Sequence, residues 1–182
     1  MKIFSTIPNQ ITFARIASVP LFMLLILSET SIGTILAIVL FVLAAASDAV
    51  DGYLARTTNQ TTLFGQFADP IADKLLVAGA LIAFIQLGEL TAAPVMVIIA
   101  REFLVTGLRI LAVAEGKVIP ASLMGKLKTI SHIWLVLAVL TNRYFELGPG
   151  GEVAKASCLY LAIALALISG GEYFYRCRNL LI

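Results

Sequence analysis

Long apolar stretches separated by brief polar interruptions predict six helices, at about 8–28, 31–56, 69–88, 92–115, 120–142 and 153–175. Polar turns at Ser28 to Ser31, Gly88 to Thr91 and Leu147 to Glu152 separate three of the pairs, and Thr57 to Thr62 and Gly116 to Pro120 make the other two joins. Each join is short, so consecutive helices must run antiparallel. A crossing helix needs roughly 20 mostly apolar residues, so six would use about 120 and leave only short connectors, although only Thr30 to Ser47 approaches an uninterrupted apolar span. No internal repeat, low-complexity tract or linker breaks the plan. The expectation is an all-α integral membrane protein in which residues 1–182 form a single domain of six transmembrane helices.

Composition removes the alternatives. Of 182 residues, 60% are hydrophobic and 13% charged, against about 25% charged in a soluble domain. So few charges cannot cover a water-soluble globule, and a disordered chain needs the opposite bias. A net charge of +2 from dispersed basic residues gives no strip for nucleic acid, so no nucleic-acid partner is expected. The run from Ile16 to Leu27 follows Lys2 and superficially suits a secretion signal. Asn9, Thr12 and Arg15 precede that run and no A-x-A site follows it, so it reads as a retained first helix. If Cys158 and Cys177 both lie on the last helix they are about 28 Å apart and cannot bridge within one chain.

Charge distribution sets an orientation. In a six-span plan, Lys2, Arg15, Arg56, Lys74, Arg109, Lys117, Lys126, Lys128, Arg176 and Arg178 fall on one side of the membrane. The other side receives Arg143 and Lys155, and Arg101 lies inside the fourth span. Lys and Arg accumulate on the cytoplasmic side, so both termini are expected there, in a multi-pass protein of the cytoplasmic (inner) membrane.

Ionisable groups inside spans cost at least a few kcal/mol each and need compensation. Asp48 and Asp51, three apart, share one face at the end of the second predicted helix; Asp69 and Asp73, four apart, share one face at the start of the third. The short join returns both pairs to one depth. Four converging carboxylates repel unless cations hold them, and an all-oxygen set without His or Cys favours Mg²⁺ or Mn²⁺ over zinc. Taken singly, any of these Asp residues reads equally well as a cap or a water-facing interfacial group.

The segment is Asp48-Ala49-Val50-Asp51-Gly52-Tyr53-Leu54-Ala55-Arg56, then eight residues to Gly65, three to Asp69 and three to Asp73. It resembles the signature of the CDP-alcohol phosphotransferase family, D-x2-D-G-x2-A-R-x8-G-x3-D-x3-D, with every position filled. The resemblance implies a catalytic domain that transfers a phosphatidyl or similar group from a CDP-linked lipid, here CDP-diacylglycerol, to an alcohol with release of CMP. It further implies that Asp48, Asp51, Asp69 and Asp73 ligate a two-metal Mg²⁺ or Mn²⁺ centre, that Asp73 is also the base, and that the protein is a homodimer with its active site facing the cytoplasm. By the same resemblance Gly52, Ala55, Arg56, Thr62 and Gly65 meet the CDP group, together with Asn9 and Thr12 of the opening Asn9-x2-Thr12-x2-Arg15. Without the motif, Gly52, Ala55 and Gly65 would read as close helix packing.

The acceptor is expected from residues outside that signature. Arg109, Lys126 and Lys128 suit an anionic acceptor such as a phosphorylated polyol, although each also reads as an inner-face anchor. Arg101-Glu102 with Arg109, followed by Ser122-x2-Gly125-Lys126-x-Lys128-Thr129, resembles the bacterial branch of the family that takes sn-glycerol 3-phosphate and forms phosphatidylglycerophosphate. Arg101, Arg109, Lys126 and Lys128 are then the acceptor-phosphate residues. Ser131-His132 departs from that branch, where a glutamine is expected. Arg101 and Glu102 read either as a buried network orienting the acceptor pocket or as a structural pair, and His132 as a packed or interfacial residue. Other acceptors (serine, inositol phosphate, phosphatidylglycerol), a metal-dependent intramembrane prenyltransferase and a small cation transporter stand as alternatives. Gly52, Ala55-Arg56 and the fixed gap to Gly65 weigh against the prenyltransferase, and ligands crowded at one face weigh against a transport path.

Overall fold

Among the described residues, six helices carry the apolar stretches in a computed structural model: α1 (Ile7–Leu27), α2 (Ser31–Thr58), α3 (Leu63–Gln86), α4 (Ala92–Ala114), α5 (Leu123–Phe145) and α6 (Gly148–Arg176). The structure describes residues 7–58, 63–116 and 122–178, with the side chains of 7–9, 48–58, 63–70, 73, 113 and 114 outside that description. No strand occurs among the described residues.

Three helix starts lie three or more residues from where the sequence places them. Leu63, Phe64 and Phe67 supply apolar positions ahead of Asp69, and α3 begins at Leu63, six residues before the expected start. In α5 the cap decides: Ser122 is extended (φ −81°, ψ 158°), its Oγ accepts from the Gly125 N–H at 3.0 Å, and the helix starts at Leu123 rather than 120. The helix α6 begins at Gly148, before the expected 153, because Pro149 sits in the first turn, where a missing N–H goes unused.

The chain forms two compact units, Met1–Gly88 and Glu89–Ile182. In the first, α1 packs on both α2 and α3. Its inward stripe runs Thr12, Arg15, Ser18, Phe22 and Ile26, polar at one end and apolar at the other. Phe22 meets Phe41 of α2 with ring centroids 6.0 Å apart. Gly79 of α3 lies against α1 so closely that a Cβ there would be 2.7 Å from Val19 Cγ1. A short, branched valine has little room to retreat. Gly79→Ala is expected to cost about 1–3 kcal/mol, read as a lowered unfolding midpoint in detergent; an unchanged midpoint would mean the two helices separate easily here.

In the second unit α6 packs against both α4 and α5. Its buried positions include Gly151, Ala162, Ala166, Ser169 and Gly170, small residues that let neighbouring backbones approach. Pro94 lies in the first turn of α4, where a helix tolerates the missing N–H. At one end of the unit, Glu89 accepts from Arg143 at 3.2 Å and from Lys155 at 2.8 Å. Glu152 accepts from Lys155 at 2.9 Å and from Asn142 at 2.8 Å. Cys158 and Cys177 are both free thiols.

Large apolar side chains stand exposed on every helix, among them Leu24 at 70%, Ile32 at 71% and Tyr160 at 72%. Surfaces of this kind belong against lipid rather than water. Gln10–Leu27, Leu123–Phe145 and Gly148–Arg176 are long and apolar enough to cross a membrane, and Ser31–Ser47 and Lys74–Gln86 are shorter apolar segments. The chain is therefore an all-helical membrane protein.

Candidate functional site

The metal-motif residues divide between two touching helices of the first unit. Asp48, Asp51, Gly52, Ala55 and Arg56 are on α2, and Gly65, Asp69 and Asp73 are on α3. Because α2 runs to Thr58 and α3 restarts at Leu63, the backbone heights can be compared from the join outward. Asp51 lies about 10 Å from the end of α2 and Asp69 about 9 Å from the start of α3; Asp48 and Asp73 each lie about 15 Å in. Counted along each helix from the join, the pairs thus occur at matched heights, with Asp69 further inside α3 than the sequence places it. The side chains of these eight residues, and of Asn9 on α1, are outside the described part of the structure, as is the whole of Thr62.

Directly beside the motif stands a contact that the sequence reading did not assign. Arg15 of α1, 3% exposed, donates from Nη2 to Ser47 Oγ at 3.2 Å and from Nε at 3.4 Å. Ser47 immediately precedes Asp48, so the guanidinium ties α1 to α2 where the motif begins. Ser18 Oγ donates to the Arg15 carbonyl at 2.6 Å. Thr12, one turn from Arg15 on the same stripe, is 1% exposed.

The candidate acceptor residues lie on the second unit. Arg101 and Lys128 come together on one carboxylate: Glu102 Oε1 accepts from Arg101 Nη1 at 3.2 Å and from the Lys128 ammonium. All three residues are at most 9% exposed. Arg101 also donates from Nη2 to Ser169 Oγ at 2.8 Å and from Nε to the Ala166 carbonyl at 3.2 Å, and its guanidinium carbon lies 5.9 Å from the Tyr173 ring centre. Every nitrogen of Arg101 is thus engaged within the unit. Burying an Arg in a membrane helix requires such partners, since an unpaired charge there would be expensive.

Arg109 and Lys126 stand apart from that network, both exposed. Arg109 follows Glu102 by seven residues on the same face of α4, about 10 Å along it. Lys126 and Lys128 are two residues apart on α5 and leave it in different directions, so one is exposed and the other buried. His132, one turn after Lys128, is 3% exposed, and its Nε2 has no hydrogen-bond partner among the described residues. Tyr173 does more than pack: its hydroxyl accepts from the Ser122 N–H at 3.3 Å, joining the cap of α5 to α6. Ser169 and Tyr173, one turn apart on α6, both face Arg101. That i, i+4 polar pair in an apolar helix was the available sequence signal for them.

Two carboxylate pairs at matched heights along adjacent helices of a membrane protein suit a membrane enzyme built around an acidic motif. Its family is a matter of direct comparison: residues 5–168 match the CDP-alcohol phosphatidyltransferase family, and the chain belongs to it. It is similar to the CDP-diacylglycerol–glycerol-3-phosphate 3-phosphatidyltransferase of Bacillus subtilis (strain 168), at 42% identity over 93% of this chain and 94% of that relative. The same-named protein of Rickettsia bellii (strain RML369-C) is 37% identical over 98% of this chain and 99% of its own length. A probable phosphatidylglycerophosphate synthase of Mycobacterium tuberculosis (strain ATCC 25618 / H37Rv) is 37% identical over 94% of this chain and 81% of its own.

Proposed function

We propose that the protein transfers the phosphatidyl group of CDP-diacylglycerol to sn-glycerol 3-phosphate, giving phosphatidylglycerophosphate and CMP. The observation that carries this reading is the filled aspartate motif on α2 and α3, its two pairs at matched heights, in a chain similar over nearly its whole length to relatives named for that reaction.

The donor set suits hard divalent ions, Mg²⁺ or Mn²⁺, because four carboxylates supply oxygen alone. When bound, two such ions would neutralise the diphosphate and stabilise the attacking and leaving oxygens of an in-line displacement. Asp48, Asp51, Asp69 and Asp73 would hold them. Arg56 meets a donor phosphate, while Gly52, Ala55 and Gly65 let backbone approach the nucleotide, with Thr62, Asn9 and Thr12 as further donor contacts. Asp73 takes the proton from the acceptor hydroxyl as its oxygen bonds to the phosphatidyl phosphorus and the bond from that phosphorus to the CMP oxygen breaks. Arg109, Lys126 and Lys128 recognise the acceptor phosphate, and Arg101 adds positive field from its engaged position.

The reading includes six spans with both termini and the site on the cytoplasmic side of the membrane. Helices of 21 to 29 residues support it, as does the excess of basic residues assigned to that side. At the other end, Arg143 and Lys155 are matched by Glu89 and Glu152.

Purified protein supplied with CDP-diacylglycerol and labelled sn-glycerol 3-phosphate is expected to place label in lipid and release CMP only when acceptor is present. Serine, inositol phosphate and phosphatidylglycerol are expected to be inert, and incorporation of one of them in place of glycerol 3-phosphate would overturn the acceptor assignment. Chelation is expected to stop turnover and added Mg²⁺ or Mn²⁺ to restore it. Undiminished CMP release from metal-stripped protein would remove the two-metal centre from the reading.

A further inference from the structure

A lysine ammonium sits on a flexible four-carbon stem and has no geometry of its own, so a precise phosphate contact from Lys128 needs something to hold it. In the second unit that hold is a chain of contacts. The α6 helix supplies Ala166 O and Ser169 Oγ to Arg101; Arg101 Nη1 then donates to Glu102 Oε1, and the same oxygen accepts from Lys128. Tyr173 closes one side of the guanidinium. Because Arg101 and Glu102 are adjacent on α4, one side chain reaches α6 and the other α5. The carboxylate is therefore fixed before it meets the ammonium.

Resting on the proposed function, we propose that Glu102 is a positioning residue for the acceptor: it presets the Lys128 ammonium, through Oε1, for the phosphate of the incoming alcohol. Glu102 takes one of the three N–H donors of Lys128. Rotamer freedom that a loose lysine would lose on binding is lost during folding instead, so acceptor affinity rises without a new contact to the acceptor. Lys128 is buried beside that carboxylate, while Lys126, two residues earlier, leaves α5 in another direction and is exposed.

Glu102→Gln keeps the shape and removes the charge; Glu102→Asp keeps the charge and shortens the reach. For the full-length protein in detergent, Glu102→Gln is expected to raise KM for sn-glycerol 3-phosphate about tenfold, with KM for CDP-diacylglycerol within twofold of wild type. Glu102→Asp is expected to recover a substantial part of that loss. A simple packing role predicts something else: both KM values moving together with a lowered unfolding midpoint, and no recovery by Asp. That result, an unchanged acceptor KM in a folded Glu102→Gln protein, or failure of both variants to fold would each overturn the inference. A wild-type protein that leaves glycerol 3-phosphate untouched would instead overturn the function on which it rests.

Discussion

Asp73→Asn is expected to lower the rate of CMP release by about 10²- to 10⁴-fold, the range that a positioned proton acceptor contributes. The amide matches the carboxylate in size and keeps one oxygen for a metal, but it cannot take a proton. The loss should therefore fall on kcat, with CDP-diacylglycerol still bound by the variant. Asp73 lies four residues after Asp69 on α3, on the same face and about 6 Å deeper. It is the second residue of its pair, opposite Asp48 in height. Turnover with saturating donor and acceptor, together with nucleotide-lipid binding measured separately, checks the division. A near-normal kcat would remove Asp73 as the base, and loss of donor binding equal to the loss of rate would make it a ligand only.

The placement of the two aspartate pairs on neighbouring helices was legible because it is local. Spacings of three and four place Asp48 with Asp51 and Asp69 with Asp73 as soon as both segments are helical, and the few residues between α2 and α3 leave the two pairs at similar distances along their helices. The start of α3 was less legible, because the residues between Thr62 and Asp69 are too few to show a helical period of their own. Leu63, Phe64 and Phe67 carry the helix through that stretch.

The second unit was harder to read for a physical reason. Arg101 finds its partners 65 and 68 residues away, at Ala166 and Ser169. Nothing periodic near residue 101 announces them. The sequence required a partner for a charge in a span and left open whether Glu102 alone served. The answer is a network that includes Lys128 and is closed by α6. Likewise, Lys126 and Lys128 look equivalent in a list of basic residues, and only the direction in which each leaves α5 separates a buried ammonium from an exposed one.

That network makes Arg101→Ala the largest expected loss of stability in the second unit, about 3–5 kcal/mol. The hydrogen bond to Ser169 accounts for little of it, since interhelical bonds of this kind in membranes contribute about 0.6–2 kcal/mol. Ser169 Oγ also has alternatives in the Leu165 and Ala166 carbonyls. Most of the loss comes from Glu102, a carboxylate 9% exposed that would keep only Lys128, and from the space vacated beside Gly170, where a Cβ would be 3.2 Å from Arg101 Cγ. Arg101→Lys keeps the charge but has one nitrogen in place of three, so it cannot serve Glu102, Ser169 and Ala166 together; an intermediate loss is expected. Unfolding in detergent, followed through the single tryptophan Trp134 on α5, gives the ordering wild type, Arg101→Lys, Arg101→Ala. If Arg101→Ala unfolds within 1 kcal/mol of wild type, roughly the contribution of one such hydrogen bond, the fastening of α4 to α6 lies in apolar packing and the buried charges are incidental to it.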